Sequence, residues 1–80
     1  MSRKTLNECK TGRDFNTYVG NDPRTVEIRP CGSHVMVKGP KPGTAVFPYH
    51  GNDQLQLGTL KNVIKMLIAI GLGILVLIAI

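Results

Sequence analysis

Two histidines stand out in this chain of 80 residues, because an imidazole takes and gives protons near neutral pH. His34 follows a Gly-Ser pair at the start of a short alternating segment, and His50 follows a Pro-Tyr pair. RNA is cleaved without a metal when a base removes the ribose 2′-hydroxyl proton and an acid protonates the leaving 5′-oxygen. His34 is therefore a candidate catalytic residue, and His50 is a candidate second acid/base or phosphate contact.

These residue types also have purely structural interpretations. A histidine at the start of a strand is often a surface residue without a role, and His50 can be a turn residue bonded to the backbone. Tyr49 either stacks on a base or packs in the core. Ser33 either hydrogen-bonds RNA or serves the turn that Gly32 opens.

A cation beside the catalytic histidine would hold the scissile phosphate and stabilise the charge that develops on it. Lys38 lies four residues after His34 in the same alternating segment, so the two side chains share one side of a strand. A single lysine is more often merely solvated, and only a cluster indicates binding. The candidate RNA-binding residues are Ser33, Arg29, Lys38, Lys41, Lys61 and Lys65.

A metal site has little support in the sequence. Cys31 and His34 have the spacing of half a zinc site, but no second pair follows at a matching interval. The chain contains no glycine-rich phosphate loop, paired carboxylates or nucleophile elbow. We therefore predict neither a metal nor an organic cofactor.

Composition limits the possible partners and compartment. Ten Lys and Arg against five Asp and Glu give a net charge of +5, which favours nucleic acid, an anionic membrane face or an acidic protein. Ordinary solubilisation is the alternative. Cys9 and Cys31, in a chain whose N-terminus lacks an apolar signal core, indicate reduced structural thiols and a cytoplasmic location.

The first half of the chain predicts an arm, a helix and the beginning of a sheet. Residues 1–10 are polar and without pattern, which predicts a loose arm. Apolar residues at helical spacing predict a helix from Gly12 to about Val19, capped by Thr11. Alternation over residues 24–29 predicts a half-buried strand. Its predicted core-facing residues are Val26 and Ile28.

Two further strands complete the predicted sheet. They cover residues 33–38 and 44–49, with a turn at 30–32 and a Gly- and Pro-rich connection at 39–43. Val35 and Val37 face the core in this pattern, and His34 with its neighbours at period two faces the open side.

From Thr59 the apolar period becomes helical. The order α-β-β-β-α predicts an α+β domain in which two helices cover one face of a three-stranded antiparallel sheet. The helix face predicted to cover the sheet, called the covering stripe, consists of Leu60, Val63, Ile64, Leu67 and Ile68.

The C-terminal tail is unusual because residues 66–80 carry no charged or polar side chain. Leu60–Ile80 as one helix would measure about 31 Å and cross a membrane. If the stripe covers the sheet instead, residues 71–80 reach only about 15 Å, and two glycines permit a break. Three interpretations of the tail remain open. It is a membrane anchor, a docking or self-association strand, or the product of a frameshifted or truncated reading frame.

Four short motifs in order resemble the HicA family of toxins, which are small ribonucleases of bacterial toxin–antitoxin pairs. The resemblance covers about Thr11 to Leu72. The motifs are Gly32-Ser33-His34, Gly43-Thr44, Pro48-Tyr49-His50-Gly51 and Gly58-Thr59-Leu60.

The resemblance implies a fold related to the double-stranded-RNA-binding domain, with His34 as the catalytic residue. It implies messenger RNA as the substrate and a HicB-like antitoxin as the partner that holds the toxin inactive. The expected organisation is an arm over 1–10, a ribonuclease domain over 11–72 and an apolar extension over 73–80. The alternatives are an RNA-binding module without catalysis and a small basic protein anchored to a membrane through residues 66–80.

Overall fold

The structure, a computed structural model, describes residues 5–50 and 53–73. The α+β fold and the order α-β-β-β-α are confirmed, with a short 3-10 helix added before the first α-helix. The elements are the 3-10 helix Leu6–Glu8, α1 Gly12–Gly20, β1 Glu27–Cys31, β2 His34–Lys38, β3 Ala45–Pro48 and α2 Leu57–Ala69.

The three strands form an antiparallel sheet in the order β1-β2-β3. Cys31 pairs with His34 across a two-residue turn at 32–33, and His34 pairs with Pro48 on its other side. Gly32 adopts a positive φ of 61°, which suits the first position of a tight hairpin turn. The turn predicted at 30–32 is therefore wrong, because the short turn leaves Pro30 and Cys31 inside β1.

The prediction for the first strand is also wrong in position and burial. β1 begins at Glu27 rather than at residue 24, and Val26 and Ile28 are 68% and 37% exposed instead of buried. The physical reason is that both helices pack mainly against β3, at one edge of the sheet, and β1 forms the opposite edge. Alternation predicts which side a residue faces, but it does not predict what covers that side.

The hydrophobic core lies between one face of the sheet and the two helices. Val35 and Val37 face it as predicted, and the rings of Phe15 and Phe47 meet with their centroids 5.7 Å apart. Such a tilted aromatic pair adds about 0.5–1.5 kcal/mol to the burial of its area. From α2, which begins two residues before the predicted start, the fully covered residues are Leu60, Val63 and Leu67.

Two expectations about the edges of this core need correction. Ile68 was expected on the covering stripe but is 51% exposed, because it lies at the margin of the face that meets the sheet. The loose arm predicted over 1–10 is wrong for residues 5–10, since Leu6 and Cys9 are each only 1% exposed. Residues 1–4 lie outside the described part of the chain.

The start of α1 is fixed both by its cap and by close packing. The Thr11 hydroxyl accepts a hydrogen bond from the Asp14 backbone N–H at 3.0 Å, as the predicted N-cap requires. A side chain at Gly12 would collide with the Pro48 carbonyl oxygen and lie 2.8 Å from the Tyr49 Cα. Only glycine therefore lets the first turn of α1 approach the end of β3 so closely.

The chain leaves α2 at Ala69, so the single helix over Leu60–Ile80 is wrong. Gly71 takes a φ of 89°, which breaks the helix, and Leu72 is fully buried in the core. Among the described residues no helix has the length and apolar character needed to cross a membrane. Of the predicted extension over 73–80, residues 74–80 lie outside the described residues.

A polar clamp, formed by the side chains of Tyr18 and Arg24, holds this exit segment. The Tyr18 hydroxyl donates to the Leu72 carbonyl at 2.8 Å, and Arg24 donates to the carbonyls of Gly71 and Gly73 at 2.9 and 2.8 Å. Burial raises the pKa of Tyr18, so the phenol keeps the proton it donates. The hydrogen bond to Asp22 raises the pKa of Arg24 further above its already high ordinary value.

Candidate functional site

His34 is the first residue of β2 and lies on the face of the sheet away from the helices. Its neighbour Val35 faces the core, so alternation turns the exposed imidazole to the other side. Its Nδ1 lies 3.5 Å from the Ser33 hydroxyl oxygen, at the outer limit of hydrogen bonding. The predicted exposure of His34 on an open sheet face is thus confirmed.

We call this second side of the sheet the uncovered face, because both described helices pack on the other one. Residues that pair directly across β1 and β2 lie side by side on this face, and they carry charged, sulfur-containing or imidazole side chains. The residues of the uncovered face are Glu27, Arg29, Cys31, His34, Met36, Lys38, Val46 and Pro48.

Two of the predicted phosphate contacts lie on this face with His34. Arg29 pairs across the strands with Met36, and Lys38 pairs with Glu27. The Arg29 guanidinium also forms an ion pair with Glu27 at 2.8 Å. Because the Arg29 side chain is 66% exposed and that of Glu27 is 37% exposed, this pair contributes little, and a phosphate can replace the carboxylate as the partner of Arg29.

The remaining predicted cations lie elsewhere. Lys41 is exposed in the β2–β3 connection, where its backbone N–H donates to the Ile70 carbonyl at 3.0 Å. Lys61 and Lys65 are exposed on α2, in the helix layer on the opposite side of the sheet from His34. The structure therefore divides the predicted RNA-binding cations into Arg29 and Lys38 on the face of His34, Lys41 in a connection, and a pair on α2 behind the sheet.

His50 lies at the same end of the sheet as His34. The Tyr49 N–H donates to the Ser33 carbonyl at 2.7 Å, which continues the β2–β3 pairing one residue past Pro48. His50 follows directly, is exposed, and its carbonyl accepts a hydrogen bond from the Asp53 N–H at 3.2 Å. This bond uses the backbone of His50 and leaves its imidazole available.

A groove of about 320 Å³ lies beside His34, between α1 and the β1–β2 hairpin. Sequence reasoning missed Asn16, because a polar residue on an exposed helix has no distinguishing pattern until the helix is placed. It treated Ile28 as core, and left Tyr49 between core packing and base stacking. The lining residues are Asn16, Ile28, Pro30, Gly32, His34, Val35 and Tyr49.

The residues of interest for metal binding and thiol chemistry are the histidines, carboxylates and two cysteines of the described part of the chain. No group of three or more His, Cys, Asp or Glu side chains suited to a metal occurs within the described ranges. Cys9 is buried, as a structural thiol should be, but Cys31 is exposed, so the structural role predicted for it is wrong. Its sulfur lies 3.9 Å from the Met36 sulfur on the uncovered face.

Comparison with models of known protein families, with curated proteins and with solved structures gives no match to this chain. Function must therefore be inferred from the geometry of the uncovered face and of the groove beside His34.

Proposed function

We propose that this protein is a HicA-like toxin, an endoribonuclease that cleaves messenger RNA through His34 without a metal or organic cofactor. One observation supports the proposal more than any other. The His34 imidazole has no part in the core and lies exposed on the uncovered face, which also carries Arg29 and Lys38. His34 also lines one end of a groove whose other walls belong to the helix side of the sheet. A histidine placed for packing alone would lie among apolar side chains instead.

In the proposed reaction His34 removes the proton from a ribose 2′-hydroxyl. The 2′-oxygen attacks the adjacent phosphorus, the bond to the 5′-oxygen breaks, and an acid protonates that leaving oxygen. The products are a 2′,3′-cyclic phosphate and a free 5′-hydroxyl, so atoms and charge balance without a water or a metal. His50, at the same end of the sheet, is the candidate acid.

Arg29 and Lys38 would bind the phosphates on either side of the reacting one. Both are exposed beside His34 on the uncovered face. A fixed positive charge there stabilises the charge that develops on the phosphate oxygens in the transition state. A HicB-like antitoxin would inhibit the enzyme by covering this same face.

The test replaces the imidazole and keeps the fold. His34→Ala should lower RNA cleavage at least about a hundredfold and remove growth inhibition, since a positioned acid/base group contributes roughly 10²–10⁴ in rate. Its urea unfolding midpoint should stay that of the parent protein, because His34 is exposed. An equally toxic and equally fast His34→Ala variant would refute the assignment.

Two controls sharpen the result. Cleavage should persist in excess EDTA, and the product should carry a cyclic phosphate. His50→Ala should lower the rate less than His34→Ala if solvent can also protonate the leaving oxygen. A variant without its two candidate histidines that still cleaves would indicate a contaminating nuclease.

A second candidate function, RNA binding without cleavage, has one observation in its favour. Among the described residues the Ser33 hydroxyl is the only side chain within hydrogen-bonding distance of the imidazole, so no carboxylate there bonds to the ring. Under this alternative the protein binds RNA with a steep dependence on salt. Products would then never appear, even after long incubation with excess protein.

A further inference from the structure

The groove beside His34 has the dimensions of a site for a single small ring system. Its volume of about 320 Å³ lies at the lower end of the range of small-molecule sites, about 300–1,000 Å³. Ile28 and Pro30 of β1 and Val35 of β2 give it apolar walls. A planar, largely apolar group fits such walls, whereas a base-paired duplex is too wide to enter between a helix and a hairpin.

Tyr49 supplies an aromatic surface in this groove. The residue is half-buried and packs against the hydrophobic core, and its backbone N–H is bonded to Ser33 at 2.7 Å. Its ring is therefore held in place before any ligand arrives. Stacking on such a fixed ring is tolerant of base identity, because every nucleobase has a π-face.

Asn16 supplies the polar group that can tell one base from another. The residue lies one turn beyond Gly12, whose contact with Pro48 and Tyr49 fixes the position of α1 relative to β3. Its half-buried side chain makes no hydrogen bond to any of the described residues. A carboxamide offers donors and an acceptor together, which is the combination that pairs with the edge of a base.

His34 lines the same groove and is the one lining residue that also belongs to the uncovered face. It therefore marks the place where the groove, on the helix side of the sheet, meets that face. Arg29 and Lys38 lie on the uncovered face, so they can contact only the part of the RNA backbone that continues past His34. A base that enters the groove would thus bring the phosphate attached to its nucleotide to the imidazole.

We propose that this groove binds one unpaired, splayed-out nucleobase of the RNA next to the scissile phosphate, and that Asn16 selects which base it is. The inference rests on the proposed function, since it names the specificity pocket of that site. It predicts cleavage of single-stranded RNA at a preferred nucleotide rather than at random.

The experiment uses four single-stranded oligonucleotides that differ only at the nucleotide beside the cleaved bond. The parent protein should prefer one of them, and Asn16→Ala should reduce this preference by roughly fivefold to 150-fold, the usual value of a good bidentate contact to a base. Asn16→Asp should change which base is preferred, because a carboxylate only accepts hydrogen bonds. Alanine is the stronger helix former, so Asn16→Ala should fold.

The matched control is Asn62→Ala. Asn62 is the same residue type on an exposed helical surface, but it lies on α2, in the layer behind the sheet. The preference of this variant should equal that of the parent. If Asn16→Ala and Asn62→Ala give the same preference while His34 remains essential, the groove inference fails and the proposed function stands.

A binding measurement decides the inference when cleavage is absent. Fluorescence anisotropy of the four labelled oligonucleotides with the His34→Ala protein reports base preference without turnover. Loss of that preference in His34→Ala/Asn16→Ala supports the base pocket even if the parent never cleaves RNA. Equal affinity for all four oligonucleotides before and after the Asn16 change overturns it.

Discussion

The two faces of the sheet place very different demands on the residues they carry. The covered face consists of small and large apolar side chains, and Val37, Ala45 and Phe47 have no exposed surface at all. The uncovered face carries mostly ionisable and sulfur-containing side chains. Of these, His34, Arg29 and Lys38 are exposed. The same three strands carry both sets of side chains, because neighbouring residues of each strand point to opposite faces of the sheet.

This difference indicates where structure and function are separable. Residues of the covered face pack against each other as densely as molecules in an organic crystal, so removing a single methylene lowers the stability of the fold. Residues of the uncovered face have few neighbours, so their chemistry can change with little effect on folding. A protein of 80 residues with a single small core thereby uses one side of its sheet for stability, and the described helices leave the other side uncovered.

The largest expected effect tests the covered face directly. Phe47→Ala should lower the free energy of unfolding by about 3–5 kcal/mol, because it removes a fully buried ring and its contact with Phe15. The next residue toward the N-terminus, Val46, faces the other side, and Val46→Ala should cost about 1 kcal/mol or less. Urea denaturation of both variants measures the difference, and similar losses would contradict the division between the faces.

A slightly smaller effect is expected where α1 meets the end of the sheet. Gly12→Ala should destabilise by about 1–3 kcal/mol, because its Cβ meets backbone atoms of Pro48 and Tyr49 that cannot simply rotate away. Gly20→Ala is the matched control, since nothing lies within 4 Å of a Cβ there. It should stabilise by about 0.4–1 kcal/mol, by restricting the unfolded chain. Equal thermal midpoints for the two variants would refute the close contact.

The hydrogen bond that Tyr18 contributes to the polar clamp should be worth about 1 kcal/mol. Tyr18→Phe removes the bond to the Leu72 carbonyl and keeps the ring. Because burial raises the pKa of Tyr18, the folded protein holds the phenolic proton more tightly than the unfolded chain does. Its contribution should be constant below about pH 10 and decrease as the pH rises beyond that value.

The measurement for this prediction is urea unfolding of the parent protein and Tyr18→Phe across the alkaline range. The gap between the two unfolding free energies should be steady at neutral pH and close above about pH 10. Every other ionisable group is common to both proteins, so only the gap reports Tyr18. A gap that widens with pH would show that the sign of the pKa shift is wrong.

The smallest effect concerns the two groups of cations. Lys38 lies on the uncovered face and Lys65 on α2 behind the sheet, and both are exposed. Lys38→Ala should reduce the slope of log affinity for single-stranded RNA against log salt by about 0.7, the value of one phosphate contact. Lys65→Ala should leave the slope unchanged. Neither should shift stability by more than about 0.5 kcal/mol, and equal effects on the slope would place RNA across both layers.

Local signals predicted α1 and β2 well, for reasons that lie within a few residues of each. The Thr11 hydroxyl caps α1 by accepting a hydrogen bond from the N–H of Asp14, only three residues later. In β2 the period of two places Val35 and Val37 on the same side, whatever packs against it. The exposure of His34 follows from the same alternation, so the chief candidate of the site was accessible from the sequence.

Features that depend on distant segments were predicted poorly. Leu6 and Cys9 are buried by the sheet and helices, and a polar run with one leucine gives no sign of that. Val26 and Ile28 alternate like core residues, yet the helices pack mainly against β3 and leave β1, at the opposite edge, more exposed. In each case burial depends on what another segment covers, which periodicity does not encode.

The amino-acid sequence by itself determined the order of the elements, the side of the sheet on which His34 lies and the positive charge that suits a polyanion. Only the tertiary structure decided that Lys61 and Lys65 lie behind the sheet, that Asn16 and Tyr49 meet in one groove beside His34, and that Tyr18 and Arg24 hold the carbonyls after α2. Periods of 2 and 3.6 residues are set by covalent geometry and local hydrogen bonds. Contacts between segments far apart in sequence are set by how apolar faces pack together, which becomes defined only when the whole chain is folded.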